Sequence, residues 1–295
     1  MSIVEESLRA QPKIWREVSR RATETVSELP LEHAKRILLF GVGSSYFAAR
    51  LVGLALQKGQ KLPRAQIVAT SSMAVLGGEI KAERGDWAFA FSHRGRTQVT
   101  LQALDQCQQA GAFGILVTGE GAPNEVARQQ LVTSPIEKVE PHTMAVTGAI
   151  AAVTSLLLGG SVLEEWDYLA TRCADFDLER LRERVGKGPQ VVLGEWEGEW
   201  IAREGALKLM EMAQIPVRAF GSEEFFHGPK YSLRPKDVIW HCETHRDLRS
   251  AELSSALQVS VSTSTPISWV PALVELQWLA LAVALNLGVD PDRMP

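Results

Sequence analysis

The sequence predicts an α/β protein of two units, each a mostly parallel sheet with helices on both faces. Three observations predict it. Short apolar runs alternate with helix-period segments along the chain. Those runs are apolar throughout, as expected for strands covered on both faces. The alternation pauses in a charged stretch, Asp167 to Arg184, and then restarts. Domains are therefore expected at 1–165 and 166–295, the second shorter. A chain of 295 residues is long enough for two such cores.

The elements follow in order. Residues 1–33 have helical spacing, with Leu8, Ile14, Trp15, Val18 and Ala22 on one face. Ile37 to Phe40 reads as a strand meeting a glycine turn, and Ser45 to Gln57 as an apolar helix. Ala65 to Ala69 (strand), Met73 to Ile80 (helix), Trp87 to Phe91 (strand) and Thr97 to Ala110 (helix) continue the rhythm. Phe113 to Val117 reads as a strand, Asn124 to Gln130 as a short helix, and Met144 to Leu158 as the helix that closes the unit. After Gly186-Lys187-Gly188-Pro189 the pattern gives a strand at Gln190 to Leu193, a helix at Glu199 to Ala213 and strands at Val217 to Phe220 and Val238 to Cys242. A helix near Leu248 to Ala256, a run at Val259 to Val261 and a long apolar helix at Ala272 to Leu287 complete the chain.

Composition excludes several classes. With 31 Lys+Arg against 35 Asp+Glu and a net charge of -4, nothing electrostatic favours nucleic acid or an anionic membrane surface. Cys107, Cys173 and Cys242 are odd in number and far apart, which excludes a disulfide framework and a cysteine zinc site and fits a reducing cytoplasm. The mixed, charged start Met1 to Arg21 is unlike a signal peptide. Met144 to Leu163 lacks charge and is long enough to span a bilayer. It holds Thr147, Thr154, Ser155, Ser161 and three glycines and has no close basic flank, so it reads as a buried helix of a soluble chain. Trp269 to Val289 is also apolar but carries Glu275.

Two loops of the first unit place polar groups where a strand meets a helix. In Gly41-Val42-Gly43-Ser44-Ser45 the glycines admit backbone N–H groups to an anion, the helix N-terminus favours negative charge, and Ser44 and Ser45 add hydroxyls. The same residues also describe a glycine turn with serine caps. In Ser92-His93-Arg94-Gly95-Arg96-Thr97, hydroxyls, a glycine and two arginines fall within six residues, and arginine binds phosphate bidentately. The bland reading is a solvated turn with Thr97 as N-cap. Loops on successive crossovers of one sheet can meet on one ligand at its switch point, so a phosphate site is expected.

The second unit carries acid–base candidates. Glu204, Lys208 and Glu211 fall at i, i+4 and i+7 in Glu204-Gly205-Ala206-Leu207-Lys208-Leu209-Met210-Glu211, on one helix face. An exposed ion-paired stripe would look the same. Downstream, Ser222-Glu223-Glu224-Phe225-Phe226-His227-Gly228-Pro229 sets a histidine on a defined turn, where an imidazole can move a proton either way.

These two motifs together resemble the sugar isomerase (SIS) domain family, in which E-G-A-L-K-x-x-E precedes E-x-x-H-G-P. The likeness is to the isomerase half of glucosamine-6-phosphate synthase and to stand-alone sugar-phosphate isomerases, deaminases and deglycases. It spans nearly the whole chain and implies two SIS-type domains of flavodoxin-like three-layer build. By this resemblance Glu211 matches the base that shuttles a proton between C1 and C2. His227 matches the histidine that assists ring opening, often supplied across a dimer interface, and Lys208 matches a substrate-contacting lysine. Gly43, Ser45, Ser92, His93, Arg94 and Thr97 fall in the phosphate loops, with Ser44 nearer the sugar hydroxyls. His142 and Thr143, within Glu140 to Thr147, fall on another substrate-facing strand end.

The sequence departs from that pattern in places. Arg94 stands where the family has a second serine, and Gly194-Glu195-Trp196-Glu197 lacks the serine loop, so one phosphate site per chain is expected. The tail Val289-Asp290-Pro291-Asp292-Arg293-Met294-Pro295 lacks the family's lysine. The resemblance implies a cytoplasmic enzyme without cofactor or metal. It would act on an amino-sugar or ketose 6-phosphate as a homodimer with a shared site, without nucleic acid or membrane. The alternative is a non-catalytic SIS-fold sensor of sugar phosphates.

Overall fold

The structure, a computed structural model, describes residues 1–25, 34–59 and 65–293. The part of the first predicted helix beyond residue 25 lies outside them. The chain divides into two compact units. One comprises Ala10–Glu137 and Met144–Thr171. The other comprises Met1–Arg9, Lys138–Thr143 and Arg172–Pro295.

The first unit is built on a five-stranded parallel sheet in the order β2-β1-β3-β4-β5. Its strands are β1 (Arg36–Gly41), β2 (Gln66–Ser71), β3 (Asp86–Phe91), β4 (Phe113–Thr118) and β5 (Gln129–Val132). Register runs Leu38↔Val68 and Leu38↔Ala88 on the two sides of β1, then Phe89↔Ile115 and Val117↔Leu131. Alternate residues of β1 serve opposite faces. Leu38 and Phe40 pack with Val75 of α3 (Ser72–Leu76) and with Ala103, Leu104 and Cys107 of α4 (Gln98–Gln109). On the other face, α2 (Ser44–Gly59) comes so close that a Cβ on Gly53 would stand 2.8 Å from Ala69 Cβ and 3.7 Å from Leu39. Helix α5 (Met144–Leu158) packs on α2, and Gly59 admits Leu158 where a Cβ would meet it at 2.5 Å.

Helix α1 (Ile3–Thr25) turns Ile14, Trp15, Val18 and Ala22 inward, as its spacing predicts. Trp15 and Trp166 of α6 (Leu163–Arg172) lie with ring centroids 5.5 Å apart. The indole N–H of Trp15 donates to Thr147 Oγ1 (2.8 Å), whose hydroxyl donates to Gln11 Oε1 (2.6 Å), and Trp166 donates to Thr154 Oγ1 (3.2 Å). The threonine hydroxyls inside the uncharged Met144–Leu163 run, Thr147 and Thr154, therefore serve buried hydrogen bonds. Among the described residues two segments, Met144–Arg172 and Val270–Leu287, are long and apolar enough to cross a bilayer, and 72% of the most apolar window of each is buried.

The second unit has a four-stranded parallel sheet in the order β7-β6-β8-β9: β6 (Val191–Gly194), β7 (Arg218–Gly221), β8 (Ile239–Glu243) and β9 (Leu257–Ser260). Val191, Leu193, Phe225 and Leu253 form a core on one face. Helices α7 (Leu178–Val185), α8 (Glu197–Met212) and α10 (Val270–Leu287) pack together, with Gly205 meeting Leu276 and Gly188 meeting Val283 where a Cβ would clash. Asp177 caps α7 by accepting from Arg180 N at 3.1 Å.

Four expectations are corrected. Residues 124–130 form no helix. The Asn124 side chain bridges the N–H and C=O of Ala127 (2.9 and 3.1 Å), closing a turn, and the chain then enters β5. Residues 248–256 form successive turns instead of a helix, because Gln258 Nε2 takes the Leu253 carbonyl and Asp247 takes the Arg249 N–H. The helix after β2 stops at Leu76, where Gly77 and then Gly78 (φ +80°) end it. The charged Asp167–Arg184 stretch is not one segment but the end of α6 and most of α7.

Replacing Trp15 with Phe removes the donor to Thr147 and shrinks a fully buried ring. The variant should lose about 1–3 kcal/mol of stability in urea unfolding, with helix content by circular dichroism unchanged.

Candidate functional site

In the five-stranded unit the switch point lies between β1 and β3, where the strand order reverses, and both phosphate-loop candidates leave the sheet there. The first loop turns so tightly that a Cβ on Gly41 would stand 2.6 Å from the Ser45 backbone, and Gly43 takes φ +57°. Hydrogen bonds from Ser45 N to Val42 O (3.2 Å) and Tyr46 N to Gly43 O (2.9 Å) start α2. Ser44 and Ser45 stand half-exposed in its first turn, where backbone N–H groups and the helix dipole favour an anion.

The second loop is tied down at nearly every residue. Ser92, buried, donates from Oγ to Thr97 Oγ1 (3.1 Å). Thr97 sits at the N-cap position of α4 without using its hydroxyl as a cap, and that side chain is exposed. Thr118 Oγ1 reaches the carbonyls of Ser92 and His93 (2.8 and 3.0 Å). Gly95 adopts φ +61° where a Cβ would stand 2.7 Å from Pro123 O.

His93 is turned inward. Its Nε2 accepts from Glu137 N at 2.9 Å, which places the ring proton of the neutral form on Nδ1. Burial, and secondarily the charge of Arg94, push the imidazole down to about 4 from its ordinary 6.5. Arg94 Nη2 reaches the Glu137 carbonyl at 3.5 Å. The buried Glu137 carboxylate in turn accepts from Met144 N (3.3 Å) and Ala145 N (2.8 Å), the first amides of α5. Sequence reasoning missed Glu137. Its only signal is an acidic residue ahead of a helix with no acid in its first turn. The remaining candidates, half-buried His142 and fully buried Thr143, lie in Lys138–Thr143, which clusters with the other unit.

In the four-stranded unit the three charges of α8 are no exposed stripe. Glu204 and Lys208 are fully buried, and Lys208 Nζ lies 3.4 Å from Glu204 Oε1 and 2.5 Å from Glu211 Oε2. Glu211 keeps 23% of its side chain exposed, so it alone of the three is open to a ligand. Gly205, between the two buried charges, lets α10 approach: a Cβ there would meet Leu276 at 2.5 Å. Removing one partner of so buried a set costs about 3–5 kcal/mol, which makes the geometry of Glu211 rigid.

His227 follows the short helix α9 (Ser222–Phe226) and is 74% exposed on its side chain. Its Nε2 is 3.1 Å from Glu223 Oε1. Arg249 grips both oxygens of Glu223 at 2.7 Å and holds that carboxyl below its usual range. The Glu223 amide donates to Glu195, whose own carboxyl burial pushes up. Beneath, Asp247 Oδ2 accepts from Ser222 Oγ (2.8 Å) and meets His241 Nε2 (2.7 Å). Burial raises the Asp247 carboxyl, but the bonds from His241, Arg249 N and Ser222 outweigh it and leave it lowered. Asp247 and Arg249 lie outside the quoted motifs, and only the fold shows that Arg249 holds Glu223 against His227 and that Asp247 fixes Arg249 and Ser222.

Residues 30–159 match the SIS domain family. The match spans the five strands of the first sheet and helices α2 to α5. Among curated relatives it is 25% identical to the isomerizing glutamine–fructose-6-phosphate aminotransferase of Sulfurisphaera tokodaii over 89% of this chain and 49% of that protein, so it spans about half the relative's length. Among solved structures it superposes on the glucosamine-6-phosphate deaminase of Thermotoga maritima with a TM-score of 0.77 at 20% identity, covering 100% of this chain and 98% of that one. It superposes equally on the tagatose-6-phosphate ketose/aldose isomerase of Escherichia coli, TM-score 0.77 at 18% identity, covering 100% and 96%. At these identities the structural likeness is one of fold. It extends through both sheets.

The pH dependence of the loop anchor follows from His93. Its folded pKa of about 4 lies below the ordinary 6.5, so between those values the unfolded chain binds the extra proton and stability falls as pH drops. His93→Gln can still accept from Glu137 N but does not titrate. The stability of the parent protein relative to this variant, from urea unfolding, should fall as pH is lowered from 7.5 to 5; a pH-independent difference would contradict the assignment.

Proposed function

We propose that this chain is a sugar-phosphate isomerase or deaminase acting on an amino-sugar or ketose 6-phosphate, of the glucosamine 6-phosphate/fructose 6-phosphate kind, by proton transfer between C1 and C2. The observation that carries the reading is the α8 trio. A carboxylate open to a ligand, Glu211, is fixed by a fully buried lysine that a second buried carboxylate balances. A carboxylate so held suits proton abstraction beside a carbonyl or imine. The SIS match and the superposed sugar-phosphate enzymes support the substrate class.

The roles are those the SIS resemblance implies, and the chemistry of each group suits them. The amides and hydroxyls of Gly43, Ser44, Ser45, Ser92 and Thr97 receive the phosphate, with Arg94 adding charge beside them. His227 takes the proton of the anomeric hydroxyl and returns one to the ring oxygen, which opens the ring. Glu223, gripped by Arg249, orients its imidazole. Glu211 removes the proton at C2 of the aldose or C1 of the ketose, and an enediol or enolamine forms. The proton then returns at the neighbouring carbon. Hydrolysis of an imine at C2 would release ammonia, and reprotonation alone exchanges aldose for ketose. Three free, buried cysteines support a cytoplasmic setting for this activity.

One feature favours a sensor instead. Arg94 replaces a small hydroxyl residue and lies against the Glu137 carbonyl. Incubation with glucosamine 6-phosphate and with fructose 6-phosphate in D2O separates the readings. Ammonia together with deuterium at C1 of the fructose 6-phosphate formed identifies a deaminase, and deuterium incorporation without ammonia an isomerase. Phosphate-ester binding with neither identifies the sensor. Glu211→Gln should abolish exchange, a loss of at least 100-fold, and leave binding of the sugar phosphate intact; retained exchange would refute Glu211 as the base.

A further inference from the structure

The two sheets repeat one design at their switch points. β6 and β8 hold in the second sheet the positions of β1 and β3 in the first. After β6, a Cβ on Gly194 would stand 2.3 Å from Gly198 O, the same four-residue clash that Gly41 makes with Ser45. Two residues on, Trp196 takes φ +55°, where the first loop has Gly43 at +57°. The helix then starts with Glu197, as the first starts with Ser44. After β8 comes Thr244-His245-Arg246, the counterpart of Ser92-His93-Arg94 after β3. Asp247 N bonds Thr244 O (3.1 Å) as Gly95 N bonds Ser92 O (2.9 Å).

The second cradle is filled from within. Arg246 Nη2 donates to Glu197 Oε2 at 2.9 Å, and the Glu197 side chain is 7% exposed in the first turn of α8. The guanidinium lies 4.8 Å from the centroid of the Trp196 ring. Thr244 Oγ1, the counterpart of the Ser92 hydroxyl, is buried and makes no hydrogen bond. Its Cγ2 stands 3.4 Å from the point a Gly198 Cβ would occupy, beside the start of the helix. A carboxylate on the first residue of α8 and a guanidinium thus pair where the first loop pair keeps Ser44 and Arg94, with the Thr244 side chain beside the start of the helix. A bulky residue at positive φ is retained at the turn, although glycine would sit there without strain.

We infer that Glu197 is a built-in anion that closes a second, duplicated oxyanion cradle, whose donors are Arg246, Thr244 and the α8 amides. Removing it opens a site for inorganic phosphate or a phosphate ester. The inference rests on the reading of the first cradle as the phosphate site.

Counting sites tests it. The full chain is dialysed to equilibrium against labelled inorganic phosphate at low ionic strength. Glu197→Ser, which supplies the residue type of Ser44, should bind one phosphate more per chain than the parent. Glu197→Gln, which keeps a side chain of the same size under Arg246, should bind no more than the parent. Adding Arg246→Met to Glu197→Ser should remove the extra site. Should Glu197→Ser fold poorly, Trp196→Gly with Glu197→Ser rebuilds the glycine–serine pair of the first loop and gives the same count. An unchanged count in a folded serine variant overturns the inference. If the parent binds none and the serine variant binds one, the reading of the first cradle fails while this inference stands.

Discussion

The five-stranded unit depends on one buried residue, Glu137, which joins the loop after β3 to the start of α5. Its N–H is held by the neutral His93 ring, its carbonyl is approached by Arg94, and its carboxylate accepts the first two amides of α5. Helix α5 has no acidic residue in its first turn and no charged side chain at all, so its N-terminal amides need a partner from elsewhere. Bonds from amides to a carboxylate stabilise by about 1.5–3 kcal/mol each. The chemistry also fixes His93, since only a neutral imidazole nitrogen can accept from an amide, and burial enforces that state.

The four-stranded unit meets the same need with charge. There the loops at the carboxyl ends of the strands are tied by Glu223 to Arg249, Glu197 to Arg246 and Asp247 to His241. The partly exposed Glu223–Arg249 pair contributes little by attraction alone, but a carboxylate gripped through both oxygens is fixed in orientation. Glu223 is so gripped, and through it the exposed His227 has a defined place despite standing on a helix of five residues.

Much of this was legible in the sequence, for identifiable reasons. Strands covered on both faces leave apolar runs, and Ile37 to Phe40, Trp87 to Phe91 and Phe113 to Val117 all fall inside observed strands. The loop glycines 41, 43 and 95 marked turns that the backbone requires. Strand β5 was hidden because Gln129 and Gln130 carry no apolar pattern, and it joins the sheet at an edge through backbone pairing to β4. Glu137 was hidden because its partners are mostly backbone groups, with His93 44 positions away. The α8 trio was visible as a helical face, but its spacing suits an exposed stripe equally well. Burial separates the two, and burial there comes from α10, which Gly205 admits.

The anion site proposed at the first switch point requires that its loops manage their own acids. Around Ser92 to Thr97 the nearest structural carboxylate, Glu137, is turned into the N-terminus of α5, while its backbone holds the loop. The loop itself offers amides, hydroxyls and arginines, with its histidine neutral and committed. Around Gly194 to Glu197 the acid stands in the loop, on the first residue of the helix, and takes the arginine for itself. Backbone geometry is nearly the same in both places, down to the residue at positive φ. What would separate the proposed receiving cradle from the closed one is therefore the placement of a carboxylate, which the topology alone does not determine and the side chains at Ser44 and Glu197 do.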